Sequence, residues 1–145
     1  MDFKDASKII KSIPMLEGLS SANRKLLAFT SQLLTYEDGE VVFHIDEPAT
    51  YVYIVVEGQV DQIVVNSNDE VHAGTVTKNK LFGEMAVIQN VPRLVTVRAK
   101  GPVNVLRIEG EMFLQMVTTS PKSALAVMQE MAQKITTLVD KHKDK

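Results

Sequence analysis

The central part of the chain, residues 33–108, consists of short apolar segments, many rich in β-branched residues, separated by turn-forming residues. Such segments at close spacing are typical of the strands of a β-sandwich or a β-barrel. The predicted strands are Leu33–Tyr36, Val41–His44, Tyr51–Glu57, Gln59–Asn66, Glu70–Val76, Leu94–Ala99 and Asn104–Ile108. The breaks between them carry residues that favour turns, for example Gly58 and Gly101-Pro102. This pattern predicts a β-roll or jelly-roll barrel.

Helical patterns flank the central β region on both sides. Residues 1–32 have helical periodicity, and either Ser20 or Ser21 is placed to cap the start of a helix. Residues 109–145 return to helical periodicity, with a long last helix that begins at Pro121. We therefore expect an α+β fold, in which a β-roll or jelly-roll barrel is flanked by N-terminal helices and a long C-terminal helix.

The long C-terminal helix has an apolar seam. Its apolar residues recur at alternating spacings of four and three, which is the a/d pattern of a coiled coil. The seam consists of Ala124, Met128, Met131, Ile135 and Leu138. We expect this seam to meet its counterpart in a second copy of the chain, forming a homodimer. The alternative is a single wide apolar face that packs on the chain's own core, and the pattern alone leaves both open.

Composition is that of an ordinary globular protein. The 145 residues are enough for a single domain over residues 1–145, and 45% of them are hydrophobic. The formal net charge is −2, from 16 Lys and Arg against 18 Asp and Glu, so neither a nucleic-acid nor a membrane partner is expected. There are no cysteines, and no apolar run approaches the ~20 residues that cross a bilayer. We expect a cytoplasmic protein.

No residue pattern indicates catalysis or metal binding. His44, His72 and His142 are scattered, without the convergent spacing of a ligand set. The chain contains no P-loop, dinucleotide or nucleophile-elbow motif. We therefore expect neither a metal ion nor an enzymatic activity.

One segment, Phe82–Ala99, combines residues suited to binding an anion. Gly83 permits an unusual backbone conformation, and the residues from Glu84 onward suffice for one helical turn with free N–H groups at its start. Arg93 stands among apolar residues, where a buried guanidinium needs a negative partner. Its planar fork suits a phosphate. Either an external anion or Glu84 supplies the charge, and the residues alone leave both open.

The same segment carries a motif, Phe82-Gly83-Glu84-Met85-Ala86 followed after a short insert by Pro92-Arg93-Leu94-Val95-Thr96-Val97. On this motif the chain resembles the cyclic nucleotide-binding domain family, which includes the catabolite activator protein and the regulatory subunits of protein kinase A. Further matches, in the order typical of the family, are Ile13–Ser20, Gly39–Phe43, Pro48-Ala49, Tyr53–Val55 and Glu57–Val60. The resemblance covers residues 13–138.

The resemblance implies a phosphate-binding cassette over residues 82–99. Arg93 would pair with the cyclic phosphate, and Glu84 would accept a hydrogen bond from the ribose 2′-hydroxyl. The expected ligand-binding set is Phe82, Gly83, Glu84, Met85, Ala86, Pro92, Arg93, Leu94 and Val95, together with Ala73 on the strand Glu70–Val76. Leu94 stands where the family often has a hydroxyl-bearing residue, which favours cAMP as the ligand over cGMP.

The resemblance also implies a function, that of a cAMP sensor domain which relays ligand binding through its C-terminal helix to an effector. The chain stops at Lys145, so we expect the effector to be a separate partner or a domain absent from this sequence. The alternative is a degenerate, non-binding domain of the same fold. It would serve as a dimerisation or scaffold module, with Glu84 and Arg93 paired internally.

Overall fold

The computed structural model describes the backbone of residues 2–143 and the side chains of these residues except Phe3 and 141–143, so the side chain of His142 lies outside the description. The elements, in chain order, are α1 (Phe3–Ser12), α2 (Ser21–Thr30), β1 (Gln32–Tyr36), β2 (Val41–Phe43), β3 (Tyr51–Asn66), β4 (Asp69–Val76), β5 (Leu81–Phe82), α3 (Glu84–Gln89), β6 (Thr96–Glu109), α4 (Gly110–Thr119) and α5 (Pro121–Lys143).

The strands form one antiparallel sheet built on its two longest members. β3 and β6 pair along most of their length. β1 and β2 pair with β6, while β4 and β5 pair with β3, so all six strands belong to the same sheet. The predicted α+β fold, with helices before the sheet and a long helix at the end, is confirmed.

Two of the predicted breaks lie inside strands. β3 continues through Gly58, and β6 continues through Gly101-Pro102. A Cβ atom at Gly58 would lie 2.4 Å from the carbonyl oxygen of Pro102, so a side chain there would collide with the neighbouring strand. The pairing register of β3 and β6 shifts between Val55 and Gln59. These glycines therefore mark a bulged stretch of two long paired strands, and the prediction of turns there is wrong.

Two strand boundaries beside the segment 82–99 also differ from prediction. β6 begins at Thr96, so Leu94 and Val95 precede the strand in which the sequence places them. The strand Leu81-Phe82 lies outside the predicted set, because two residues are too few to show the alternation that identifies a strand.

The sheet has a hydrophobic cluster on each side, because successive strand residues point to opposite faces. On one face of β3, Val52 and Ile54 belong to the cluster that includes Phe113 of α4. On the other face, Tyr53 packs in a second cluster with Phe82, and their stacked rings have centroids 5.0 Å apart. This second cluster anchors the chain immediately before Gly83.

Two helices, α2 and α5, begin where the sequence predicts. Ser20 is the N-cap of α2, and its hydroxyl accepts a hydrogen bond from the main-chain N–H of Asn23 at 3.1 Å. α5 begins at Pro121 and packs on the domain near its start, where Ser123 is fully buried. Farther along, apolar side chains of α5 such as Ile135 are exposed. Among the helices described, none is long and apolar enough to cross a membrane.

Candidate functional site

The one-turn helix α3 follows a glycine in the left-handed conformation. Gly83 has a φ of 79° and immediately precedes Glu84, the first residue of α3. A Cβ atom at Gly83 would lie 2.8 Å from Nη1 of Arg93 and 3.3 Å from Cε2 of Phe43. The backbone conformation and the space beside Arg93 therefore both favour glycine.

Arg93 lies behind α3 and is 3% exposed. Its Nη1 donates to the carbonyl oxygen of Gly83 at 2.6 Å, and its Nη2 donates to that of Tyr51 at 2.5 Å. The guanidinium carbon lies 3.9 Å from the centroid of the Phe43 ring, a cation–π geometry. The Nε atom is buried without a hydrogen-bond partner. The guanidinium is thus held by neutral groups, and its Nε–H has no acceptor.

No carboxylate forms a salt bridge with Arg93 within the part of the chain that the structure describes. Burial lowers the pKa of Arg93 below its ordinary value, and the nearby Tyr53, Glu84 and Glu47 oppose that shift. Arginine nevertheless stays protonated at neutral pH. Because an unpaired buried charge is costly, an anion that reached this guanidinium would relieve that cost.

Glu84 is buried, with 4% of its surface exposed, and faces the C-terminal helix. One of its carboxylate oxygens, Oε1, accepts a hydrogen bond from Nζ of Lys134 on α5 at 3.3 Å. Burial raises the pKa of Glu84 above its ordinary value, and the charge of Lys134 opposes the shift. The Glu84–Arg93 ion pair that the sequence left open is therefore not formed, because Lys134 takes the place of Arg93 as the cationic partner of Glu84.

A cavity of 240 Å³ lies between α3, the residues that precede β6, and α5. It brings together seven of the ten expected ligand-binding residues: Gly83, Glu84, Met85, Ala86, Arg93, Leu94 and Val95. Phe43, Gln62 and Lys134, which are outside the expected set, also line it. The segment from Gly83 to Val95 therefore forms one wall, and the sheet and α5 supply the others.

Three expected residues do not line this cavity. Phe82 is buried in the aromatic cluster beneath it, stacked on Tyr53. Pro92 is exposed and turns the chain ahead of Arg93. Ala73 is exposed on β4, at a point where the pairing with β3 shifts register. The structure therefore places three of the expected ligand-binding residues outside this cavity: Phe82, Pro92 and Ala73.

The sequence places two of the three additional residues in predicted strands but gives no sign of the third. Phe43 and Gln62 occupy predicted strands, and a polar residue between Val60 and Val64 is a weak signal of a lined pocket. Lys134 gives no such signal, because it lies 50 positions from the glutamate that it contacts. Only the tertiary fold, which brings the side chain of Lys134 on α5 to Glu84 on α3, places that lysine at the cavity.

The histidines whose side chains are described make separate surface pairs. Nδ1 of His44 lies 2.8 Å from a Glu47 carboxylate oxygen, and Nε2 of His72 lies 3.1 Å from one of Asp61. Within the described residues there is no group of three or more acidic, histidine or cysteine side chains placed to hold a metal ion.

The fold and the cavity define a class of protein, a β-sheet domain with a cavity that holds a buried arginine and is lined in part by the long C-terminal helix. Residues 33–120 match the family model of the cyclic nucleotide-binding domain. That match covers more than half of the chain, and the protein belongs to the cyclic nucleotide-binding domain family. The resemblance recognised in the sequence is confirmed.

A protein kinase regulatory subunit is among the proteins to which this chain is similar in sequence. The chain is 30% identical over 116 residues to a cAMP-dependent protein kinase regulatory subunit of Mycosarcoma maydis, covering 80% of this chain and 21% of that protein. It therefore spans about a fifth of that relative's length.

Solved structures share the fold over nearly the whole chain. The sensor domain of the transcriptional regulator DNR from Pseudomonas aeruginosa matches with a TM-score of 0.86 at 20% identity, covering 95% of this chain and 93% of that one. A regulatory subunit of a cAMP-independent protein kinase A from Trypanosoma brucei, a mutant bound to cAMP, matches with a TM-score of 0.79 at 22% identity, covering 99% and 52%. At these identities the likeness shows the fold alone.

Proposed function

We propose that this domain is a sensor that binds a cyclic nucleotide, with cAMP as the favoured ligand, and signals through α5. The observation that carries the proposal is Arg93, a buried guanidinium without a carboxylate partner at a cavity that also holds the buried Glu84. A cyclic phosphate supplies the missing negative charge, and charge-assisted hydrogen bonds to arginine are among the stronger contacts in proteins. The domain acts as a binding module, without a catalytic step of its own.

The remaining groups of the cavity suit the rest of a nucleotide. We expect the Glu84 carboxylate to accept a hydrogen bond from the ribose 2′-hydroxyl, and the main-chain N–H groups of Met85 and Ala86, in the first turn of α3, to donate to the phosphate. Leu94 lines the cavity with a half-exposed apolar side chain that offers guanine no hydrogen bond. This favours adenine, as does the similarity to a regulatory subunit named as cAMP-dependent. The cAMP-independent relative from T. brucei makes the choice of nucleotide a matter for measurement.

Lys134 provides a route from the ligand to α5. Its contact with Glu84 ties the long helix to the residue that would receive the ribose. The cavity volume of 240 Å³ is below the ~300 Å³ at which ligand sites usually begin. A nucleotide therefore needs a larger cavity, and its ribose needs the Glu84 carboxylate released from Lys134. Displacing Lys134 provides both. Ligand binding would then shift α5 between two positions, provided the nucleotide binds them unequally.

The far part of α5 is suited to a partner. Met128, Ile135 and Leu138 of the predicted seam are 58–64% exposed, whereas Ala124 and Met131 are half-buried. Apolar side chains in this number on one helix favour contact with another surface. We propose a second copy of the chain as that partner, with an effector responding to the movement of the helix.

Calorimetric titration with cAMP, cGMP and 5′-AMP tests the ligand. We expect cAMP to bind more tightly than the other two. Replacing Arg93 by alanine should cost about 2–5 kcal/mol, or about 30- to 4,000-fold in affinity. Arg98→Ala is the matched control, because Arg98 pairs with Glu70 outside the cavity. Absence of heat and of thermal stabilisation with both cyclic nucleotides would refute the sensor function and leave the scaffold module.

A pair of lysine variants tests the route through α5. Lys134→Gln removes the contact with Glu84, and Lys122→Gln removes an exposed lysine on the same helix that pairs with Glu17. Lys134 is 47% exposed, so the contact is worth about 1 kcal/mol at most, and its loss should raise cyclic nucleotide affinity up to about fivefold. The Lys122 variant should bind like wild type. A fall in affinity with Lys134→Gln would instead make Lys134 a ligand-binding residue.

A further inference from the structure

A second cavity, of 290 Å³, opens on the other side of Arg93. The chain has three tyrosines, Tyr36, Tyr51 and Tyr53, and all of them line it. Arg107 of β6 lines it as well, and it shares only Phe43 and Arg93 with the first cavity. We call this space the tyrosine cavity. Residues from β1, β3, β6 and the segment before β6 meet there, although none of them forms a motif in the sequence.

Two guanidinium groups flank Tyr51 in the tyrosine cavity. Arg93 donates a hydrogen bond to the Tyr51 carbonyl oxygen, and the guanidinium carbon of Arg107 lies 4.1 Å from the centroid of the Tyr51 ring. Arg107 also donates from Nη2 to the side-chain oxygen of Gln32. In both arginines the Nε atom is buried without a hydrogen-bond partner. Buried polar groups are normally paired, so it is uncommon for two arginines that line one cavity both to have an unpaired Nε atom.

One carboxylate also lines the tyrosine cavity. Glu47 lines the tyrosine cavity, but its carboxylate lies 2.8 Å from the imidazole Nδ1 of His44. Neither Arg93 nor Arg107 forms a salt bridge with any residue the structure describes. Burial raises the pKa values of Tyr36 and Tyr53 above their ordinary value, so both phenols stay protonated and can donate hydrogen bonds. The tyrosine cavity thus holds two guanidinium groups and two phenol donors against one carboxylate.

We propose that the tyrosine cavity is a second ligand site, which binds a small carboxylate that carries one aromatic ring. A carboxylate matches the planar fork of a guanidinium. The aromatic walls favour a ring that can pack edge-to-face or offset against them. A volume of 290 Å³, at the lower end of the range for ligand sites of about 300–1,000 Å³, limits the occupant to a single ring. The proposal does not depend on the nucleotide function.

Sodium benzoate is the probe, and the tyrosines themselves report on its binding. A protein labelled with ¹³C in its tyrosine rings has signals from three residues only, all of which line the tyrosine cavity. We expect benzoate to shift these signals saturably in the absence of nucleotide. Benzamide keeps the ring without the charge, and cyclohexanecarboxylate keeps the charge without the aromatic ring. Benzamide should bind at least about tenfold more weakly than benzoate, because it lacks the charge. Cyclohexanecarboxylate should bind about two- to tenfold more weakly, because it lacks the aromatic ring.

Two arginine variants locate the binding. Arg107→Gln should weaken benzoate binding at least about tenfold, since Arg107 lines this cavity and not the nucleotide cavity. Arg98→Gln, outside both cavities, should bind benzoate like wild type. Unsaturable tyrosine shifts, benzamide binding as well as benzoate, or unaltered binding by a folded Arg107→Gln protein would overturn the proposal. The comparison of the three small molecules needs no variant and therefore stands even if Arg107→Gln does not fold.

Discussion

Replacing Gly83 by alanine probes the link between the left-handed turn before α3 and the position of Arg93. Gly83 has a φ of 79°, which costs an alanine about 1–2 kcal/mol. The added methyl group would also lie 2.8 Å from Nη1 of Arg93, so the guanidinium must move away from the Gly83 carbonyl oxygen. A hydrogen bond from a charged donor is worth about 1.5–3 kcal/mol. The two costs together come to about 2.5–5 kcal/mol of unfolding free energy.

Gly39→Ala provides a matched control for this prediction. Gly39 has a nearly equal φ of 83°, but a Cβ atom there would meet nothing within 4 Å. Its substitution should therefore show the backbone cost alone, about 1–2 kcal/mol. Any stabilisation through a stiffer unfolded chain is common to both variants and cancels in their difference. The difference between the two variants isolates the contact with Arg93.

Urea unfolding followed by circular dichroism measures both free energies, and calorimetry measures cyclic nucleotide affinity. We expect Gly83→Ala to be less stable than Gly39→Ala by about 1.5–3 kcal/mol. It should also bind cyclic nucleotide more weakly, because the displaced guanidinium no longer faces the phosphate, whereas Gly39→Ala should bind like wild type. Equal stabilities and equal affinities for the two variants would refute the argument that Gly83 makes room for Arg93.

Two further predictions concern Glu84 and α5. Burial raises the pKa of Glu84 in the folded state, so its contribution to stability is full at low pH and is lost as the pH rises through the folded-state pKa. Glu84→Gln removes that loss. In urea unfolding, the free energy of unfolding of the variant relative to wild type should therefore increase between about pH 4 and pH 7. If that difference decreases over the same range, the attraction of Lys134 outweighs the effect of burial on Glu84. On α5, Ile135→Glu should convert a dimer into a monomer in sedimentation velocity, while the exposed Gln133→Glu should not. A wild-type monomer with and without nucleotide would remove the dimer.

Features that depend on a few neighbouring residues could be predicted. Ser20 caps α2 through a hydrogen bond that spans three residues, and α5 begins at a proline. The short helix after Gly83 follows from a glycine with freedom to adopt positive φ. Seven of the ten expected site residues also line one cavity, since most of them belong to one continuous segment. Short-range interactions of this kind are formed by residues that the chain already holds together.

The strand breaks show where such local signals mislead. Gly58 and Gly101-Pro102 have the residues of a turn, yet both lie within strands. What decides between a turn and a bulge is the partner strand, because the chain at Gly58 approaches the Pro102 carbonyl closely. Composition at either site contains no information about the other, which lies more than 40 positions away.

The amino-acid sequence by itself determined the class of fold, the one-turn helix after Gly83 and the presence of an arginine among apolar residues. Only the tertiary structure decided which groups surround that arginine. Lys134, from a helix 50 positions away, takes the carboxylate of Glu84, and the Phe43 ring and two carbonyl oxygens hold Arg93 instead. The physical reason is that the partner of a buried charge is set by which elements pack together. The chain must fold before Glu84 and Lys134 are neighbours, and before Arg93 is buried with no salt bridge to any residue that the structure describes.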